Sequence, residues 1–131
     1  MIEKFLKSVI FCDFVRLEAG GTNTLVGVYP GRIILPQIPT TLQRLYVWME
    51  FYTDGLSVPE FEVQLLAPSG KAVFVGSVKA DLKTWKRPVA LVIYKDNCLI
   101  RETGCYSFQG RIKSTDEWKE VRDLFIDILA T

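Results

Sequence analysis

The chain has 131 residues, 49% of them apolar and 24% charged, with a net charge of +1 and no histidine. That length and balance fit one folded domain over residues 1–131 and exclude a disordered tail, which combines low apolar content with a large net charge. Without histidine there is no Ser-His-Asp triad, no Cys-His dyad and no histidine metal site, and the near-neutral charge argues against a nucleic-acid binder held by phosphate contacts.

The dominant period is two. Val9, Phe11, Val15 and Leu17 fall on one face of a predicted first strand over residues 8–18, with Arg16 and Glu18 opposite. The cluster Ala19-Gly20-Gly21-Thr22-Asn23 turns the chain, and Leu25-Val26-Gly27-Val28-Tyr29 returns as the second arm of a hairpin. Pro30-Gly31 precedes Arg32-Ile33-Ile34-Leu35, and residues 36–41, with two prolines, read as an extended connection. Residues 45–53 form the strongest predicted strand: Leu45, Val47, Met49 and Phe51 face one side, and Tyr46, Trp48, Glu50 and Tyr52 the other.

Further on, Phe61, Val63 and Leu65 alternate with Glu60, Glu62 and Gln64, Pro68-Ser69-Gly70 makes a tight turn, and residues 72–80 and 89–94 are predicted strands around a basic loop. Tyr106, Phe108 and Ile112 alternate with Ser107, Gln109 and Arg111. The last segment has two readings. Ser114 and Glu117 have the spacing of a helix capping box, with Trp118, Val121, Phe125, Ile128 and Leu129 as an apolar stripe. With period two, Leu124, Ile126 and Ile128 form a terminal strand, which the β-branched Ile126 and Ile128 and the need to close a sheet edge favour.

Short strands, close turn signals and no βαβ alternation predict an all-β fold, an antiparallel β-sandwich of about 7–9 strands, immunoglobulin-like or related. Gly104-Cys105-Tyr106-Ser107-Phe108 has the G-x-Y-x-F form found in many such sandwiches. The three cysteines, Cys12, Cys98 and Cys105, cannot all pair within one chain and contain no C-x-x-C, so neither a zinc knuckle nor a redox pair is supported. Cys12 reads as a small buried hydrophobe, and Cys98 and Cys105 flank a segment short enough to make them hairpin neighbours. Free thiols point to a reducing compartment, the cytoplasm. No apolar run approaches the roughly 18 residues of a membrane span, and residues 1–4 lead into strand-like sequence without a secretion signal.

Phe11-Cys12-Asp13, Arg16, Glu18, Leu25-Val26-Gly27-Val28-Tyr29, Gly31 and Pro36 together resemble the N-terminal signature of a family of small uncharacterised bacterial and phage proteins. The resemblance is densest over residues 9–45 and implies a β-rich domain of unknown function. In that family a second acidic residue commonly follows the aspartate; here the position is Phe14.

Four features are candidates for function. Asp13 falls on the apolar face of its strand, where an unpaired carboxylate is expensive; backbone N–H groups or an arginine would satisfy it and pin the hairpin, a bulge at Cys12-Asp13 would turn it outward, and metal or ligand contact is the alternative, a lone carboxylate being a weak metal signal. Arg16 is singled out with it as a structural polar residue. The stripe Tyr46, Trp48 and Tyr52 is a recognition surface if exposed and a second buried face if not. Lys79, Lys83, Lys86 and Arg87 surround Trp85, a combination suited to a phosphate or an acidic partner, or simply to a solvated loop. That loop sits in a segment, residues 71–113, with nine basic and three acidic groups, while residues 114–131 carry two and five.

No catalytic constellation, metal set or cofactor motif converges: Glu60 and Glu62 are the wet side of a strand, and Gly27-x-x-x-Gly31 is not a phosphate loop. The expectation is a cytoplasmic, non-enzymatic protein-binding or adaptor module, in a phage- or defence-related setting. The alternatives are a structural, self-associating or virion-associated sandwich, and a binder of small ligands or anionic surfaces through residues 79–87.

Overall fold

A strand with one apolar side needs one covering layer, and strands with this pattern bury it by pairing two sheets face to face. The computed structural model describes residue 2 and residues 5–52, 60–78, 89–113 and 117–129. Its strands are Leu6–Leu17 (β1), Asn23–Tyr29 (β2), Arg32–Leu35 (β3), Thr40–Phe51 (β4), Phe61–Leu66 (β5), Ala72–Val78 (β6), Val89–Ile100 (β7), Gly104–Ile112 (β8) and Lys119–Ile128 (β9). They form a four-stranded sheet, β2-β1-β4-β7, and a five-stranded sheet, β3-β9-β8-β5-β6. Every pairing is antiparallel except β3 with β9, which runs parallel from Arg32↔Phe125 to Leu35↔Ile128.

The core lies between the sheets. Leu45, Val47, Met49 and Phe51 on β4 meet Phe61, Val63 and Leu65 on β5, and all seven are essentially inaccessible to solvent. Phe11 packs edge-on against Phe108 with ring centroids 5.6 Å apart, and Phe51 lies 4.6 Å from Phe61, so aromatic contacts join the layers at two points. The alternation predicted for residues 45–51, 61–65 and 106–112 is therefore the alternation between core and outer face. The terminal segment is a strand: Leu124 and Ile126 are buried against the core, whereas Phe125, which a helical stripe would bury, is exposed.

Two strand boundaries and the facing of one residue differ from expectation. β4 begins at Thr40, five residues before the predicted start, because residues 40–44 pair with β7 from Ile100 back to Asp96. β7 in turn runs on to Ile100 through the polar Lys95-Asp96-Asn97, which reads in sequence as a strand end. The two strands change face together there: Leu42 and Cys98 point to the core although Leu45 and Ile93 also do, an odd step on each strand. Asn97 makes it possible with φ of 51°, a left-handed conformation that asparagine tolerates better than most residues. Leu17, predicted to face the core, is exposed because β1 pairs with β4 only as far as Cys12 and its far end lies beyond the covering layer.

Candidate functional site

The register of the four-stranded sheet aligns side chains across its outer face. Val28, Cys12, Tyr46 and Tyr94 form one row over β2, β1, β4 and β7; Ile10, Trp48 and Val92 form the next; Phe14 and Val26 lie on the other side. The row is sealed at its centre. Cys12 is inaccessible and Tyr46 nearly so, since the Phe14 ring meets Tyr46 edge-on at 5.4 Å and Tyr94 stacks on it at 5.1 Å. The covering rings are open to solvent: Phe14 is 41% exposed and Tyr94 56%, with Val26 and Val28 exposed beside them. Arg44 closes one margin, its guanidinium 5.6 Å from the Tyr94 ring centre and held 2.9 Å from Asp96. The Asp96 hydrogen bond holds the Arg44 proton more tightly than usual.

The predicted recognition stripe is thus split by depth. Tyr46 is buried, Trp48 half-buried and Tyr52 exposed. The indole Nε1 of Trp48 is buried with no hydrogen-bond partner among the described residues. Sequence reasoning missed Phe14 and Tyr94, the rings that reach solvent; Phe14 stood out only as a departure from an acidic position. Burial pushes the Cys12 thiol up, with the Asp13 charge adding to it, so Cys12 is a packing residue rather than a nucleophile. Cys12, Cys98 and Cys105 are all free; Cys98 faces the core and Cys105 is exposed, so the two are not hairpin partners.

Beyond Cys12↔Tyr46, β1 pairs only with β2 and β4 only with β7. A cavity of about 560 Å³ opens there, lined by Asp13, Tyr29, Thr41, Leu42, Gln43 and Arg44. Asp13 is exposed, and its carboxylate accepts a hydrogen bond from the Tyr29 hydroxyl. It pins the hairpin as expected, but through a phenol instead of an arginine or backbone N–H, and the β1–β2 register passes residue 13 without a bulge. Gly27 makes the close approach possible: its φ is 66°, and a Cβ there would overlap the Asp13 carboxylate. Burial, and then the Asp13 hydrogen bond, push the Tyr29 phenol well above its ordinary range, so it stays a donor. Arg16 ties the same hairpin separately, through Glu18 at 2.5 Å, and Glu18 also accepts from Thr24 at 2.9 Å.

A single carboxylate beside a phenol is suited to holding a hairpin or a polar ligand, and no group of three or more metal-ligating side chains occurs among the described residues. The basic loop residues Lys83, Trp85, Lys86 and Arg87, with Lys79, lie outside the described residues. No helix among the described residues is long and apolar enough to cross a membrane.

Fold and face define an all-β sandwich with an aromatic outer surface on its smaller sheet. Residues 7–126 match the Family of unknown function (DUF6941), and the chain belongs to that family. No curated protein matches it.

Proposed function

We propose that the protein is a non-enzymatic protein-binding module that docks a partner protein on the outer face of its four-stranded sheet. One observation carries the reading: Phe14, Tyr94, Val26 and Val28 are each about half exposed and adjoin one another around the buried Tyr46. Soluble proteins seldom leave such a patch open, and aromatic anchors with a charged rim, here Arg44 and Asp96, are what protein interfaces favour. The partner's surface is apolar at its centre, to match the exposed rings and valines.

The sandwich itself reads as immunoglobulin-like. The orders β1-β4-β7 and β9-β8-β5-β6 follow the A-B-E and G-F-C-C′ arrangement of such domains. The Tyr106 hydroxyl donating to the Glu102 carbonyl at 2.7 Å has the form of a tyrosine corner. The three free thiols support a cytoplasmic setting, and the resemblance to small bacterial and phage proteins supports a bacterial or phage context, without bearing on the adaptor role itself.

The test is partner capture from host lysate with the wild type, Phe14→Ser/Tyr94→Ser, and Val75→Ser on the opposite sheet. A stoichiometric partner lost only in the first variant, with melting temperatures alike, is the expected result. Retention of that partner, or recovery of the chain alone as a defined oligomer by light scattering, overturns it; the second result transfers the face to self-assembly.

A further inference from the structure

The nine cations and three carboxylates of residues 71–113 are used unevenly. Arg111 lies 3.1 Å from Glu62 and stacks over Trp118 at 4.4 Å, and Lys113 lies 2.9 Å from Glu60. Four cations, Lys79, Lys83, Lys86 and Arg87, fall outside the described residues. The remaining three, Lys71, Lys95 and Arg101, have no side-chain partner among the described residues, and all three line one cavity of about 310 Å³. They come from three places in the fold: the end of the β5–β6 turn, the middle of β7 and the start of the β7–β8 turn. All three are exposed, and with so little compensating charge nearby they make this cavity electropositive and attractive to an anion.

The wall of this cavity is fixed. Glu102, the carboxylate at its rim, accepts from the Ser69 backbone N–H at 3.0 Å and from the Ser69 hydroxyl at 2.6 Å, so it is committed to clamping the two turns together. Tyr106, itself buried, donates to the Glu102 carbonyl from beneath. Gly104, with φ of 127°, lets the turns close: a Cβ there would sit 3.0 Å from Pro68 Cγ. Asn97, held in its left-handed conformation, lines the same cavity and adds an amide. The other carboxylate nearby, Asp96, is taken by Arg44.

We propose that this cavity binds a small molecule through a phosphoryl group, with Arg101, Lys71 and Lys95 on the phosphoryl oxygens. A guanidinium fork and two ammonium groups supply charge-assisted bonds to several oxygens at once, and the volume stands at the lower end of known ligand sites, enough for a diphosphate with a small organic part. The site is separate from the aromatic face and independent of what docks there.

Inorganic pyrophosphate is the probe. Titrated at constant ionic strength and followed by amide NMR, it shifts Lys71, Asn97 and Arg101 saturably, with half-saturation at about 1 mM or below. Arg101→Met and Lys95→Met, each folded by circular dichroism, weaken binding about tenfold or more, as loss of a charge-assisted bond does, while Lys7→Met, which removes one exposed charge from β1, leaves it unchanged. Shifts that fail to saturate, or that fall equally in Lys7→Met, overturn the site. So does self-association of Lys95→Met without pyrophosphate binding by the wild type, which makes the cations guards of an open strand edge.

Discussion

The central strands of the two sheets present opposite chemistry to the outside. On β5 and β8 the outward side chains are closed among themselves by polar pairs: Gln64 donates to Gln109 at 2.9 Å, Gln109 to Ser107 at 3.2 Å, and Glu62 holds Arg111. On β1 and β4, past the Ser8–Glu50 pair, the outward side chains are Ile10, Cys12, Phe14, Tyr46 and Trp48, closed by ring contacts that end in exposed rings. Both faces cover the same core, so the core does not require the difference. A polar face is finished once its side chains pair; an aromatic one is finished only when something lies over it.

The largest test of that contrast is to truncate each face at its centre. Tyr46→Ala is expected to cost about 3–5 kcal/mol in urea unfolding, because it empties a sealed aromatic site. Gln64→Ala is expected to cost about 1 kcal/mol, the net worth of one hydrogen bond. Equal losses would mean that the outer faces differ in composition but not in role.

Next in size is a contrast between inside and outside, read through pH. Burial pushes the Cys98 thiol from an ordinary 9.0 up to about 11, so its neutral form is favoured in the fold. The stability it contributes is complete below pH 9 and is lost as pH rises from about 9 to about 11, roughly 2–3 kcal/mol in all. Cys98→Ala should flatten that alkaline limb in a series of unfolding midpoints. A thiol reagent should modify the exposed Cys105 of the native protein and spare the buried Cys12 and Cys98; labelling of Cys12 in the folded state would show that the aromatic cover is open.

A smaller effect separates strain from packing at the cavity edge. Gly27→Ala is expected to cost about 2 kcal/mol through its positive φ and its overlap with Asp13. Asp13→Ala should recover part of that loss in a double-mutant cycle, since it removes the overlap but not the φ. Additive losses would assign the whole cost to the backbone. Smallest of all, Phe14→Ser/Tyr94→Ser should change stability by about 1 kcal/mol or less, because neither ring is deeply buried.

The sequence reveals the core where a strand is covered on one side by its own opposite sheet. Leu45 to Phe51, Phe61 to Leu65 and Leu124 with Ile126 alternate for that reason, and the terminal strand is legible because only that register buries both Leu124 and Ile126. It conceals what depends on a distant neighbour. Lys95-Asp96-Asn97 looks like the end of a strand, and only the extra length of β4 alongside it keeps the ladder going. The partner of Asp13 was within reach of the hairpin register, since Phe11↔Tyr29 brings the phenol next to residue 13; the chemistry expected there, an arginine or a backbone N–H, was the wrong donor. Phe14 and Tyr94 were hidden for another reason. Their importance comes from standing on either side of Tyr46, a relation among three strands that no local spacing records.

The parallel pairing of β3 with β9 has a consequence in time. Paired residues of the two strands, such as Arg32 and Phe125, lie more than ninety positions apart in the chain, yet β9 is held between β3 and β8. Until β9 has been made, β3 has no partner in its sheet and β8 keeps one bare edge, so the five-stranded sheet cannot be assembled progressively from its first strand. Closing so long a loop before the contacts repay it makes folding slow. During that interval the unpaired edges are open to other chains, and the nascent protein is most exposed to aggregation before its last strand is in place.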